Sequence, residues 1–352
     1  MPASSATAGS RTWPVNAWYV AARSGELSDQ PLGRTICGER LVLFRGEGGA
    51  VSALEDFCPH RGAPLSLGFL KHGRLTCGYH GLSVDGQGKP CAMPGQTVGG
   101  FPAVRAYSVV ERYGFIWVWP GRADVADPDA LPKLFWADDP DWAYGGGLYH
   151  IACDYRLMVD NLMDLTHETY VHANSIGQKE IDEAPVETLL DGEEVVTRRF
   201  MEKVSAPPFW RAALGGAGLP ENELVDRWQI CRFSLPSHVM IEVGVALAGR
   251  GGYEADHADK VSSIVVDFIT PETETSHWYF WGMARNFAAG NVALTESIRE
   301  GQGKIFSEDL EMLERQQLNL STYPDRRLMT LNIDAGGAQS RARIQRAIRA
   351  EP

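Results

Sequence analysis

No apolar run in the 352 residues approaches the roughly 18 needed to span a bilayer. Positive charge is scarce: 33 Lys and Arg stand against 45 Asp and Glu, a net charge of −12. That balance argues against nucleic acid and membrane surfaces as partners. Cysteine is limited to six residues, too few for a disulfide scaffold in a chain this long. No GxGxxG follows a strand pattern, so no dinucleotide site is expected, and no repeat of solenoid period occurs. The opening MPASSATAGSRT has no apolar core of a secretory signal. It predicts a disordered lead-in over 1–12 and a cytoplasmic protein. What remains, 44% hydrophobic and 22% charged, is ordinary globular composition, long enough for two cores.

Those two cores have different patterns. WYVAA (18–22), RTICGERLVLFRG (34–46), VSALED (51–56) and FPAVRAYSVVERYGFIWVWP (101–120) are β-branched and aromatic runs cut by Gly, Pro and Asp. They predict a small antiparallel sandwich or barrel over 13–122. Proline and aspartate then crowd GRADVADPDALPKLFWADDPDW, which reads as a linker (123–142), with the boundary near 125. From 143 to 352 the pattern is mixed. Tyr155 to His172 predicts one helix or a broken helix. VETLLDGEEVVTRRF, DRWQICRF, HVMIEVGVALAG, VSSIVVDFITP and SHWYFWGMARNF follow as a meander. GRGGYEADHADK (249–260) reads as a mobile polar loop, and a helix is expected from Thr295. The class is α+β: an all-β N-terminal domain, then an antiparallel sheet gripped by helices.

The first domain holds an unusual set of soft ligands, Cys58-x-His60 and Cys77-x-x-His80, in EDFCPHRGAPLSLGFLKHGRLTCGYHGLS. Cys2His2 is a zinc set, and by ligand count zinc is the plain reading. The alternative is a Rieske centre, where two His replace two Cys on one iron of a 2Fe-2S cluster. Mixed pairs favour the second, because finger sites group like with like. Pro59, Gly62, Gly78 and Gly81 supply fixed or left-handed backbone for two clamping loops. His72 fits no ligand slot and reads as a solvated loop residue. Cys37, Cys91, Cys153 and Cys231 read as buried apolar thiols.

A second constellation lies in YRLMVDNLMDLTHETYVH. Asp164 and His167 stand at i and i+3, neighbours on a helical face. His172 would sit about 140° round an ideal helix from His167, so the helix must end or bulge for both to meet one ion. A solvated surface helix is the bland reading. The apolar neighbours Leu157, Val159, Leu162, Met163, Leu165 and Val171 argue that the polar groups face inward. Two His and one carboxylate make a facial triad for non-haem iron(II). Asp309 is the best remote carboxylate, because Ile305, Asp309, Leu313 and Gln316 form one stripe of a helix. Glu308 and Glu311 flank other faces and read as solvated.

With both constellations in place, the chain resembles the Rieske non-haem iron oxygenases. CPHRGAPLS and CGYHGL are close to the cluster motif of that family, and the likeness spans nearly the whole chain. It implies that Cys58 and Cys77 hold one iron of a 2Fe-2S cluster and His60 and His80 the other. It implies a mononuclear Fe(II) on His167, His172 and Asp309. It makes Asp164 an acid that bridges to a cluster-ligating His of a neighbouring subunit, with Asn161 beside the iron. A head-to-tail homotrimer follows. Electrons would come from NADH through a separate reductase carrying flavin and a ferredoxin-type cluster.

The implied activity is a monooxygenase attack by O2 on the methyl group of an aromatic carboxylate. Its pocket should be apolar with a few polar anchors. Trp278, Tyr279, Trp281 and Phe287 supply aromatic candidates, though aromatics on strands are usually core. Arg232, His238 and Arg285 are candidate carboxylate receptors, since an Arg fork matches a carboxylate. Arg341, Arg343, Arg346 and Arg349 form a basic stripe that reads as a solvated helix face, with reductase docking as the alternative. The rival of another class is an electron carrier with a non-catalytic second domain.

Overall fold

The protein is described by a computed structural model covering residues 11–173, 176, 181 and 184–351. Apart from residues 11 and 12, the expected lead-in lies outside those residues. The chain divides into two compact units, one of Met1–Lys133, Thr270–Thr273 and Ile348–Pro352, the other of Leu134–Ile269 and Glu274–Ala347.

The first unit is built from three small antiparallel sheets. Strands β1 (Tyr19–Arg23), β10 (Phe115–Trp119) and β9 (Ser108–Arg112) form one, in that order. β2 (Leu32–Ile36), β3 (Glu39–Arg45) and β4 (Val51–Glu55) form the second. β5 (Phe69–Lys71), β6 (Arg74–Thr76), β7 (Ser83–Val84) and β8 (Pro90–Ala92) form the third. The β9–β10 turn shows how sequence sets register. Tyr113 and Gly114 both take positive φ, 60° and 78°, so Arg112 pairs with Phe115 across a two-residue hairpin. All of FIWVW in β10 is buried, which is why its pattern does not alternate. Val42, Phe44, Leu54, Leu65, Leu75, Leu82 and Val84 make a core cluster that also contains Cys58 and Cys77.

The second unit is one seven-stranded sheet, ordered β11-β17-β16-β15-β14-β13-β12. Its strands are β11 (Ala143–Ile151), β12 (Glu187–Asp191), β13 (Glu194–Ser205), β14 (Leu224–Ser234), β15 (His238–Leu247), β16 (Lys260–Thr273) and β17 (Ser276–Arg285). Five helices accompany it among the described residues: α1 (Tyr155–Leu162), α2 (Glu168–Val171), α3 (Pro208–Gly216), α4 (Val292–Thr322) and α5 (Ala335–Ala350). Asp191-Gly192 makes the expected tight turn, with Gly192 at φ 54°.

Strand parity gives this sheet two distinct faces. One carries Val196, Trp228, Ile230 and Ala246, packed with Ala255 from the 249–260 loop. That loop is therefore not a loose polar excursion: Tyr253 donates to Glu242, and the Lys260 ammonium donates to the Tyr253 carbonyl. The opposite face carries Thr197, Arg199, Gln229 and Cys231, all buried. Tyr279 and Trp281 pack edge-on against Phe306 of α4, with ring centroids 5.3 and 5.5 Å apart.

Two elements escape the sequence patterns. β11 contains Gly145, Gly146 and Gly147, which lower strand propensity. They are there for close approach: a Cβ on Gly147 would lie 2.3 Å from Trp281 Cζ2, and one on Gly145 would lie 2.9 Å from Thr295 Cγ2. α3 is short and starts on Pro208, burying Trp210, Ala213 and Leu214. The segment read as a linker contains three short 3-10 turns and buries Leu131, Leu134 and Trp136. No described helix is long and apolar enough to cross a membrane.

Candidate metal centres

The two Cys-His loops of the first unit are folded alike. Cys58 N–H donates to the Ala63 carbonyl at 2.9 Å, and Gly62 N–H returns to the Cys58 carbonyl at 2.8 Å. Cys77 N–H donates to the Leu82 carbonyl at 2.8 Å, and Gly81 N–H returns to the Cys77 carbonyl at 3.0 Å. Each loop needs a left-handed residue at its bend, and Gly62 and Gly81 provide it with φ of 67° and 78°. Asp56 braces the first loop by accepting from Ser66 N–H and Ser66 Oγ, both at 2.7 Å.

This geometry separates hard from soft ligands. Cys58 and Cys77 are each 2% exposed within the core cluster, whereas His60, Tyr79 and His80 lie on the surface. The two imidazoles are stacked edge to face, centroids 4.5 Å apart, with Tyr79 3.9 Å from His80. The pKa of His80 is held below its ordinary value by desolvation, then by His60 and Arg61, which favours the neutral form a metal needs. Burial, reinforced by neighbouring Cys77, pushes the Cys58 thiol up in the metal-free chain. Two adjacent thiols inside and two adjacent imidazoles outside fit a cluster with Cys on one iron and His on the other. His72 is exposed, at φ 51° in the β5–β6 turn. Cys91 corrects the expectation of four buried thiols: it is only half-buried, and its Sγ donates to the Lys89 carbonyl.

In the second unit, α1 stops at Leu162 and α2 is a single turn. His167 is its N-cap and His172 its C-cap. The expectation that Asp164 and His167 share a helical face is thereby corrected, because Asp164 sits in the break. Its carboxylate accepts from Thr166 N–H and Oγ1 at 2.7 and 2.6 Å, turning the chain. It is the Asp164 main-chain carbonyl that receives His167 Nδ1, at 2.7 Å.

The break brings both imidazoles to α4. One ligand atom each from His167, His172 and Asp309 lies within 4.8 Å of the others. His167 Nε2 is 3.7 Å from Asp309 Oδ1, and His172 Nε2 is 3.3 Å from Oδ2. Asn161 Nδ2 donates to Asp309 Oδ1 at 3.0 Å, fixing that carboxylate from α1. Asp309, 3% exposed, lies with buried Phe306 and Leu313 on α4.

Glu308 is not solvated as expected: its Oε2 accepts from His172 Nδ1 at 2.7 Å. A carbonyl and a carboxylate only accept, so both Nδ1 atoms carry a proton, and in the neutral imidazoles Nε2, on the side of Asp309, is the nitrogen left to bind a metal. That is the tautomer a metal requires, so the residues fit a mononuclear ion. In the metal-free chain, burial opposes charging of His172. Asp309 and Glu308 outweigh it and leave its pKa raised.

A buried network that the sequence patterns did not reveal holds the turn in place. Glu168, the first residue of α2, accepts from Gln229 Nε2 at 2.8 and 3.0 Å. Gln229 Oε1 in turn accepts from Arg199 Nε and Nη2 at 3.1 and 2.6 Å, and Arg199 lies 3.4 Å from Glu168. Arg199 is 1% exposed. Its only signal in sequence is its parity in β13, on the inward side with Thr197.

Asn161, Asp164 and His167 line a cavity of about 750 Å³, together with Leu313, Gln316 and Arg341. A second cavity of about 580 Å³ lies against Thr166, His167, Tyr170 and Arg199. The expected substrate residues fare differently. Arg232 lies on the outer face, paired with Glu242, Asp191 and Glu194, so its guanidinium is already engaged. His238 shares that parity and packs edge-on against Phe268. Arg285 is 1% exposed but donates to Thr295 Oγ1 and the Ala288 and Asn291 carbonyls, tying the chain before α4. Trp278 pairs with His150 on the opposite side of β17 from Trp281. Trp281 remains, buried between Tyr149 and Phe306. Phe287 belongs to a core cluster with Trp210 and Leu214. The basic stripe is half consumed: Arg341 pairs with Asp160, and Arg343 with Glu193 and the Gly192 carbonyl.

Comparison with known proteins agrees with this geometry. Residues 17–108 match the Rieske [2Fe-2S] domain, and residues 151–350 match the vanillate O-demethylase oxygenase C-terminal domain. The chain belongs to the Rieske non-haem iron oxygenases, in the branch defined by that C-terminal domain. It is 67% identical over 339 residues to the vanillate O-demethylase oxygenase subunit of Pseudomonas sp. (strain HR199 / DSM 7063), covering 96% of both chains. It is 38% identical over 313 residues to the dicamba O-demethylase oxygenase component of Stenotrophomonas maltophilia, covering 87% of this chain and 89% of that one. Among solved structures, dicamba monooxygenase bound to 3,6-dichlorosalicylic acid matches with a TM-score of 0.87 at 35% identity, covering 95% and 97%.

Proposed function

We propose that the chain is the terminal oxygenase of a vanillate O-demethylase. Vanillate, O2 and two electrons and protons give protocatechuate, formaldehyde and water. The observation that carries this reading is 67% identity across 96% of both chains to a protein of that activity. A relative 36% identical, a putative toluene-4-sulfonate monooxygenase iron-sulfur subunit of Comamonas testosteroni, makes the methyl group of another aromatic acid the alternative substrate.

In this reading Cys58, Cys77, His60 and His80 hold the 2Fe-2S cluster, and His167, His172 and Asp309 hold a mononuclear iron. Those groups supply, when bound, one-electron transfer and activation of dioxygen at a metal with open positions. The chain's residues do the rest. Asn161 fixes the Asp309 carboxylate, and Glu308 and the Asp164 carbonyl fix the imidazole tautomers. Leu157, Val171, Met312 and Leu313, which line the cavity beside His167, would exclude water and present the methoxy methyl. Once hydroxylated, that carbon is a hemiacetal and separates into phenol and formaldehyde without further help. The residues 13–122 would form the electron-relay domain and 143–352 the catalytic one. A cytoplasmic head-to-tail trimer would bring Asp164 to a neighbouring subunit's cluster, and a flavin- and ferredoxin-type reductase would deliver electrons from NADH.

Turnover of the iron-loaded protein with vanillate, NADH and a suitable reductase is expected to release formaldehyde in step with NADH. His167→Ala should abolish release while the visible absorption of the cluster persists. No formaldehyde from vanillate, with both centres loaded, would remove the assignment.

A further inference from the structure

Asp267 of β16 has no role in the site described so far. It is fully buried, and Tyr279 donates to its Oδ1 at 2.6 Å. Its Oδ2 is buried without a hydrogen-bond partner among the described residues, and so are Ser263 Oγ and Trp281 Nε1. Ser263 and Asp267 share one side of β16 by parity. Asp267 is hydrogen-bonded to Tyr279, which packs against Phe306 of α4. Trp281 packs against Phe306 as well, so the bare atoms of Asp267 and Trp281 lie on the wall that faces the helix carrying Asp309, with Ser263 further along the same strand face. A buried polar atom left without a partner is costly in a dry interior, so a pair of them on one wall calls for a partner that arrives with a ligand.

We propose that Asp267, positioned by Tyr279, hydrogen-bonds the phenolic hydroxyl that stands ortho to the reacting methoxy group. This rests on the vanillate reading above and deepens it. When the methoxy methyl is held at Asp309 and its two His partners, the ortho hydroxyl is the substituent nearest to them, and the carboxylate stands farther off, meta to the methoxy group and para to the hydroxyl. Asp267 is close enough to Asp309 to feel its charge. Burial pushes the Asp267 carboxyl up to about 8, Tyr279 opposes the rise, and Asp309 adds to it. The carboxyl pairs with a phenol in either protonation state, accepting when ionised and donating when neutral. A substrate without the hydroxyl leaves Oδ2 stranded, so Asp267 selects 4-hydroxy-3-methoxybenzoates over 3-methoxybenzoates.

The test is equilibrium binding of vanillate and of 3-methoxybenzoate to the anaerobic, iron-loaded protein. The wild type is expected to prefer vanillate by at least about tenfold. In Asp267→Ala the two dissociation constants should converge to within about twofold. Asp267→Leu combined with Tyr279→Phe fills the volume and leaves no orphaned donor, so the comparison survives if alanine disturbs folding. Convergence in either variant supports the role. A wild-type ratio near one, or a ratio unchanged in the folded variants, overturns it. If formaldehyde is still released from vanillate while the ratio is unchanged, this inference falls and the demethylase reading stands.

Discussion

Replacing Glu308 by alanine should weaken the mononuclear site without touching a ligand. His172 Nδ1 donates to Glu308 Oε2 at 2.7 Å, and its Nε2 stands 3.3 Å from Asp309 Oδ2. Without that acceptor the imidazole is free to carry its proton on Nε2, where it blocks the metal and bonds Asp309 instead. Losing an outer carboxylate of this kind costs about 10–100-fold in metal affinity, or about 1.4–2.8 kcal/mol. The Glu308 side chain is 33% exposed, so water can replace part of the bond and the loss should fall in the lower half of that range. The assay is competition for iron between protein and a graded chelator, with cluster absorption as the internal control. Glu308→Gln keeps an acceptor and should recover most of the affinity. Iron affinity in Glu308→Ala within twofold of wild type, or glutamine as weak as alanine, would refute the reasoning.

Two further outcomes follow from buried charge. Arg199→Met leaves the Glu168 carboxylate buried and unpaired, which should cost about 3–5 kcal/mol of unfolding free energy. Denaturant titration reads this, and Glu168→Gln in the same chain should recover part of it. Asp267 behaves oppositely. Its proton is held up to about pH 8 in the folded chain but released near 3.8 in the unfolded one, so its contribution to stability falls as pH rises between those values. Melting temperatures of Asp267→Asn should therefore be less sensitive to pH than wild type between about pH 5 and 8. Parallel profiles would contradict the shift.

The two side-chain clusters that the structure brings together were legible because they are built from rare residue types with tightly constrained spacing. Cys58, His60, Cys77 and His80 need only two short loops, and both loops announce their bends with Gly62 and Gly81. Asp309 was legible because a carboxylate in the stripe of Ile305 and Leu313 has no bland explanation. Its neighbour Glu308 was misread: one step along a helix turns a side chain by about 100°, which suggested solvent. It instead reached His172, a contact made by tertiary packing that no local pattern encodes. Arg232 and Arg285 were misread for a related reason. An arginine on a strand advertises a fork, but only the paired strands reveal that Glu242, Asp191 and Glu194, or the turn before α4, already fill it. β11 was missed because its glycines answer to Trp281 and Thr295 from elsewhere in the chain.

The two histidines at either end of α2 have an evolutionary consequence. A four-residue turn bolted down by Glu168, Gln229 and Arg199 makes the spacing of the imidazoles independent of the walls of β16 and β17. Substitutions at positions such as Ser263, Asp267 or Trp281 would then reshape those walls while the spacing of His167 and His172 stays constant. A lineage built this way can diversify its diet without rebuilding its reactive centre.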